Sequence, residues 1–244
     1  MKSTETISIA IGQVIQSLQG AKLKGYDIHR LLKKSGIAPQ LIEQPQARVP
    51  LEKFILLTRY TAGTMNDELH GLLQYPHRLG HFRSMALSAI HAGTLGEAIQ
   101  RCVDYYNLFE NSFVYELSKK GQFAQYSITR IEGHTVQNAF AVESMLTVLH
   151  RFAGWLVNER IILDQVGFDF SIPPHAKEYL YSFYGAPVLY KQAHSRLRFP
   201  LGYLDRPIVQ TEAHLNSYIR RAPMDLYLPL NAAGDLTRGI RNLV

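Results

Sequence analysis

Ser112-Phe113-Val114-Tyr115-Glu116-Leu117-Ser118-Lys119-Lys120-Gly121-Gln122-Phe123-Ala124-Gln125-Tyr126-Ser127-Ile128-Thr129-Arg130 is the stretch that sets the fold class. Short-period alternation runs from Ser112 to Leu117 and again from Phe123 to Arg130. Between them Lys119-Lys120-Gly121-Gln122 supplies a turn, with glycine where positive φ is needed. The stretch reads as a β-hairpin, and the chain on either side of it reads differently.

Upstream the period is helical. Ile7, Ile9, Ile11, Val14, Ile15 and Leu18 partly fit a helical stripe that ends before Gly20. Further helices are expected over Tyr26 to Ser35, from Pro50 toward Gly63, in a short piece opened by Asn66-Asp67, over Phe82 to His91, and over Leu95 to Phe109. Downstream, Gln137 to Asn158 reads as the longest helix, with Val142, Met145, Leu146, Leu149, Phe152, Ala153 and Leu156 on one apolar face and Glu143, Thr147, His150, Arg151 and Gly154 on another. Strand character returns at Gln165 to Phe170, Val188 to Tyr190 and Ser195 to Phe199, with a short helix over His175 to Tyr184. The expectation is an α+β fold: a helical N-terminal part packed with a small antiparallel sheet and one long central helix.

Three stretches carry a family resemblance. The first is Leu31-Leu32-Lys33-Lys34-Ser35-Gly36-Ile37-Ala38-Pro39, continuing through Arg48-Val49-Pro50 to Phe54. The second is Gly93-Thr94-Leu95-Gly96-Glu97-Ala98-Ile99 with Tyr105-Tyr106. The third is Gly185-Ala186-Pro187-Val188 with Leu197-Arg198-Phe199 and Leu204-Asp205-Arg206-Pro207. Each has a plain physical reading. Gly36 supplies a left-handed helix stop, Pro39 and Pro50 sit where helices begin, and Thr94 with Glu97 forms a capping box. Their order and spacing resemble the effector domain of one branch of AraC/XylS-type transcription regulators.

Composition bounds the rest. At 244 residues and 46% hydrophobic the chain can bury a sizeable core. The N-terminus has no signal-peptide run, and no segment approaches the roughly 20 apolar residues of a membrane span, so a cytoplasmic location is expected. Cys102, the one cysteine, excludes an intramolecular disulfide and any multi-cysteine metal site. The charge of +6 is scattered in pairs such as Lys33-Lys34, Lys119-Lys120 and Arg220-Arg221, and does not form the stripe of a nucleic-acid face.

Catalytic motifs are lacking: there is no phosphate loop, zinc helix, nucleophile elbow or calcium loop. His70, His77, His81 and His91 fall close together, but Pro76 and Gly80 argue for a loop around His77 and His81, and no metal is expected. Haem on His150 lacks a second signature, so no cofactor is expected. What remains is a small-molecule pocket, apolar and aromatic with a few orienting polar groups. Tyr105, Phe109, Phe152 and Trp155 are its candidate lining, against core packing as the plain alternative. Arg151 is the candidate polar group, able to pair a ligand carboxylate or, equally, an acid elsewhere in the fold.

The resemblance implies a non-enzymatic sensor that binds a small-molecule effector, forms a homodimer and acts on DNA through a C-terminal helix-turn-helix domain. On that reading residues 1–228 are the effector-binding and dimerisation domain, and 229–244 are a linker and the start of a DNA-binding domain cut short. A standalone cytosolic enzyme or ligand carrier, and a dimerisation domain without ligand, are the alternatives.

Overall fold

The computed structural model describes residues 7–221. A three-residue strand, β1 (Ser8–Ala10), leads directly into α1 (Ile11–Leu23), followed by α2 (Ile28–Lys34) and a 3-10 turn at Pro39–Glu43. Strand β2 (Arg48–Pro50) pairs antiparallel with β1, placing Ile9 opposite Val49. After it come α3 (Leu51–Met65), α4 (His81–Ala89) and α5 (Leu95–Asn107). The hairpin β3 (Phe113–Lys120) and β4 (Phe123–Arg130) precedes the 19-residue α6 (Ala139–Val157). The chain closes with β5 (Gln165–Gly167), a 3-10 turn at Ala176–Glu178, α7 (Tyr179–Ser182), β6 (Val188–Leu189), β7 (Ser195–Pro200), a 3-10 turn at Leu201–Asp205, and α8 (Glu212–Arg221).

The fold is α+β. The larger sheet has order β3-β4-β7-β5-β6 and is antiparallel except for the β5–β6 pair, whose connection crosses through α7. The hairpin turn is tighter than the sequence suggests. Lys120 pairs with Phe123, leaving only Gly121, at φ 60°, and Gln122 outside the ladder. β4 lies inside the sheet, and so Gln125 and Ser127 are buried along with Ala124, Tyr126 and Ile128. At the free edge of β3 the Asn107 amide takes the place of a neighbouring strand: it donates to the Tyr115 carbonyl at 2.8 Å and accepts from the Tyr115 N–H at 3.0 Å.

α6 is the axis. It contacts α1 on one side and α5 and β7 on others, and thirteen of its residues are buried, Glu143, His150 and Arg151 among them. Its ends are defined by Asn138, whose side chain accepts the Phe140 N–H, and by Asn158 in the left-handed conformation.

The motif stretches are joints. Gly36 (φ 71°) ends α2, and the Ile37 N–H returns to the Leu32 carbonyl at 2.9 Å, burying Ile37. Thr94 accepts the Glu97 N–H at 3.3 Å as a capping box should, although Glu97 reaches back to Gly93 instead of Thr94, at 2.8 Å. The second and third stretches meet where the Leu95 N–H donates to the Arg206 carbonyl at 2.8 Å.

Several boundaries differ from the sequence reading. Asn66-Asp67 opens no helix: Asn66 is the left-handed cap of α3, and Asp67 folds a loop by accepting the N–H groups of Leu69, Gly71 and His77 at 2.8–3.1 Å. The expected strand at Gln165 to Phe170 stops at Gly167, and the expected helix at His175 to Tyr184 is one 3-10 turn followed by the four-residue α7. The proposed boundary at 228/229 lies outside the described residues. α1 also runs past Gly20. That glycine sits mid-helix because a Cβ there would lie 2.6 Å from the Gly71 carbonyl oxygen and overlap the His70 carbonyl.

Gly20→Ala should therefore cost about 1–3 kcal/mol, the range for overpacking, and lower the melting temperature by roughly 2–4 °C per kcal/mol. Gly12→Ala, on the same helix with nothing within 4 Å of an added Cβ, should leave the midpoint unchanged or raise it. Calorimetry of the pair checks the contact.

Candidate functional site

A cavity of about 550 Å³ opens between α3, α4 and α6, within the range of small-molecule sites. Helical spacing places its walls. Thr58 and Ala62 lie one turn apart on α3, Phe82 and Met85 on α4, and Phe140, Ser144 and Thr147 with Val148 on α6. Tyr106 of α5 and Tyr126 of β4 reach the cavity, Tyr179 and Ser182 of α7 form part of its wall, and Ile219 comes from α8. Lining residues that also meet solvent, among them Arg59, Leu79, Gly80 and Arg83, mark the mouth.

The lining is mostly apolar, which makes its one buried carboxylate on α6 conspicuous. Glu143 is 5% exposed. His175 Nε2 lies 3.0 and 3.1 Å from its two oxygens, and the Tyr179 hydroxyl donates to Oε1. His175 and Tyr179 are four residues apart, so a single turn of chain presents both to the same acid. Burial and then the Glu143 charge push the Tyr179 phenol well above its usual range, fixing it as a donor. Arg48 anchors the same segment. Its guanidinium donates to Glu178 at 2.7 Å and to the Ser8 hydroxyl and carbonyl, joining the cavity wall to the β1–β2 pair.

The loop before α4 shapes the other wall. Glu68 accepts the N–H groups of Gly80 and Phe82 at 2.8 and 2.9 Å, standing in for the missing cap of α4. Its carboxyl is raised by burial, against those N–H bonds. His77 stacks on His81 at 4.5 Å with planes 13° apart, and on Tyr106 at 5.5 Å. Burial first, and His81 next, push His77 down to about 3. Among the described residues no three His, Cys, Asp or Glu side chains gather to hold a metal ion.

With this geometry in place, comparison with known proteins identifies the frame. Residues 25–208 match the family described as the arabinose-binding domain of AraC transcription regulators, N-terminal. The chain belongs to that family. Its relatives include an ornithine utilization regulator of Pseudomonas aeruginosa, 24% identical over 222 residues, covering 84% of this chain and 60% of the relative. The solved transcriptional regulator CdpR of Pseudomonas aeruginosa aligns at TM-score 0.42 and 15% identity, over 86% of this chain and 61% of that one. This AraC-type domain thus spans about three fifths of the length of the relatives it matches.

None of the five residues singled out from the sequence lies on the cavity wall of the domain. Tyr105 and Phe109 pack on each other at 5.2 Å and on His81, while their neighbour Tyr106 lines the cavity. Phe152 and Trp155 grip Tyr218, with Trp155 stacked on it at 4.5 Å, and so hold α8 against α6. Arg151 faces α7, where Nη2 donates to the carbonyls of Tyr181 and Ser182 at 3.3 and 2.9 Å, with the guanidinium over the Tyr184 ring at 4.0 Å. No acid pairs it. Burial, and then Arg160, lower it to about 10. Arg151 thus holds the segment that carries Tyr179 and Ser182. Glu143, one of two acids that line the cavity, was not singled out from the sequence; on an apolar helix it has Ala139 and Thr147 at i−4 and i+4, so no base of its own helix accounts for it.

His150, also on α6, is pushed down to about 4 by burial, with Arg151 adding to it against its bond to the Ile161 carbonyl. Both His150 and His77 stay neutral in the fold where the unfolded chain protonates near the ordinary 6.5. The unfolded state then binds more protons between about pH 6.5 and 4, so stability falls with falling pH there, by up to about 1.4 kcal/mol per pH unit per histidine. Urea unfolding across that window should show this slope, and His150→Gln should make it shallower.

Proposed function

We propose that this chain is the effector-sensing part of an AraC-type transcription regulator, with the cavity between α3, α4 and α6 as the effector site. The observation that carries this reading is an open, mostly apolar cavity of about 550 Å³ in the middle of a domain of this family. A dimerisation domain without a ligand would fill such a space with its own rings. Here Phe82, Tyr106, Tyr126, Phe140 and Tyr179 stand on the walls and leave the space between them open.

Sensing is a population shift: a ligand that fits one arrangement of the walls better favours it, about 1.4 kcal/mol for each tenfold preference. α7, four residues long, is the wall we propose to respond: Tyr179 donates to Glu143 and packs against Phe168 and Phe183, and the Ser182 carbonyl accepts from Arg151. The output we propose is control of transcription by a homodimer, through a DNA-binding domain elsewhere in the full-length regulator, in the cytoplasm and without catalysis. A relative named for ornithine utilization supports a metabolite as effector.

Thermal unfolding against a metabolite panel tests the reading. A true effector raises the midpoint in a dose-dependent, saturable way. Val148→Trp, which puts an indole into the cavity, should abolish that shift while the domain still unfolds cooperatively. A shift that survives Val148→Trp would place the site elsewhere.

A further inference from the structure

The chemistry of the cavity narrows its occupant, on the condition that the cavity is the effector site. Its deep polar groups are largely committed. Glu68 takes up two backbone N–H groups, the Thr58 hydroxyl donates to the Ile55 carbonyl, and His70 Nδ1 meets the Ser17 carbonyl at 3.2 Å. Glu143 is different. A carboxylate offers about four lone-pair sites, and its two donors, His175 and Tyr179, supply one proton each. Among the described residues its ion-pair partner is His175, at 3.0 Å, and no arginine or lysine joins it. It therefore presents a wall of the cavity with acceptor capacity that its two donors do not use up, in surroundings where an unmet polar atom is costly.

We infer that the cavity takes a primary amine with an apolar body, whose ammonium group is received by Glu143. An ammonium has three donors, and beside the carboxylate the same stretch of α6 lines the cavity with the hydroxyls of Ser144 and Thr147. The apolar body meets Phe82, Met85 and Val148. A carboxylate in that place would face Glu143 with like charge, and a neutral alcohol would offer it one donor where an ammonium offers three.

Hexylamine, hexanol and hexanoate share one chain length and separate these cases. Titration calorimetry and thermal unfolding of the 244-residue chain should show hexylamine binding at least about tenfold more tightly than the other two, the margin of a charge-assisted hydrogen bond over a neutral one. Glu143→Gln, equal in shape, should remove that preference, and Val148→Trp should abolish binding of all three. If Glu143→Gln does not fold, Ser144→Lys puts an ammonium beside Glu143 from within, and should abolish hexylamine binding. Hexanol or hexanoate binding as tightly as the amine, or an amine preference that survives Glu143→Gln or Ser144→Lys, overturns the amine assignment and leaves the cavity as a site. No binding by any of the three, or binding untouched by Val148→Trp, overturns the cavity as the site.

Discussion

A helix enclosed on nearly every face has no water to turn to, so the fold must answer the polar groups it carries. α6 sets that demand. Glu143 is answered by His175 and Tyr179, His150 through Nε2 by the carbonyl of Ile161, and Arg151 through Nη2 by the carbonyls of Tyr181 and Ser182, while His150 Nδ1 and Arg151 Nε and Nη1 are buried without a hydrogen-bond partner among the described residues. All of these partners come from the chain that follows the helix, between residues 161 and 182. The broken path of that segment, with its 3-10 turn, short α7 and parallel β5–β6 pair, follows from having to present donors and carbonyls to α6 while still feeding the sheet.

The same demand shows why fold and site were unequally legible in the sequence. Alternation at Ser112–Arg130 and the apolar run at 137–158 announced the hairpin and the central helix, because these elements follow their own periods. Gly36 and Thr94 were readable as a stop and a cap because capping is local. The β1–β2 pair escaped notice because three-residue strands have no period, and Gly20 looked like a helix end because its reason is a carbonyl fifty residues away. The cavity escaped for a related reason. A large ring at helical spacing looks the same whether it faces a ligand or another ring, and Trp155 and Phe152 turned out to face Tyr218. An acid on an apolar helix is less ambiguous, since it must have a buried answer.

Apart from Tyr106, which lines the cavity, the stretches that resemble the family work as fasteners around this arrangement. Arg48 is the clearest case, a half-exposed guanidinium that bonds Ser8 on one side and Glu178 on the other. Leu95 and Arg206 join the start of α5 to the end of the last 3-10 turn in the same way. Such fasteners keep the walls of the cavity in register from outside it.

Asn107 illustrates how closely local order and colloidal behaviour are tied. Its amide occupies the open side of β3 at Tyr115, a position where an exposed strand invites pairing with another chain. Many edge strands are guarded by a charge of their own, but here the guard belongs to the last residue of α5, and helix ends fray first. Unwinding a single turn there would uncover the strand edge at Tyr115, next to the already half-exposed Phe109. The guarding of this one stretch of sheet edge thus rests on the final turn of one helix.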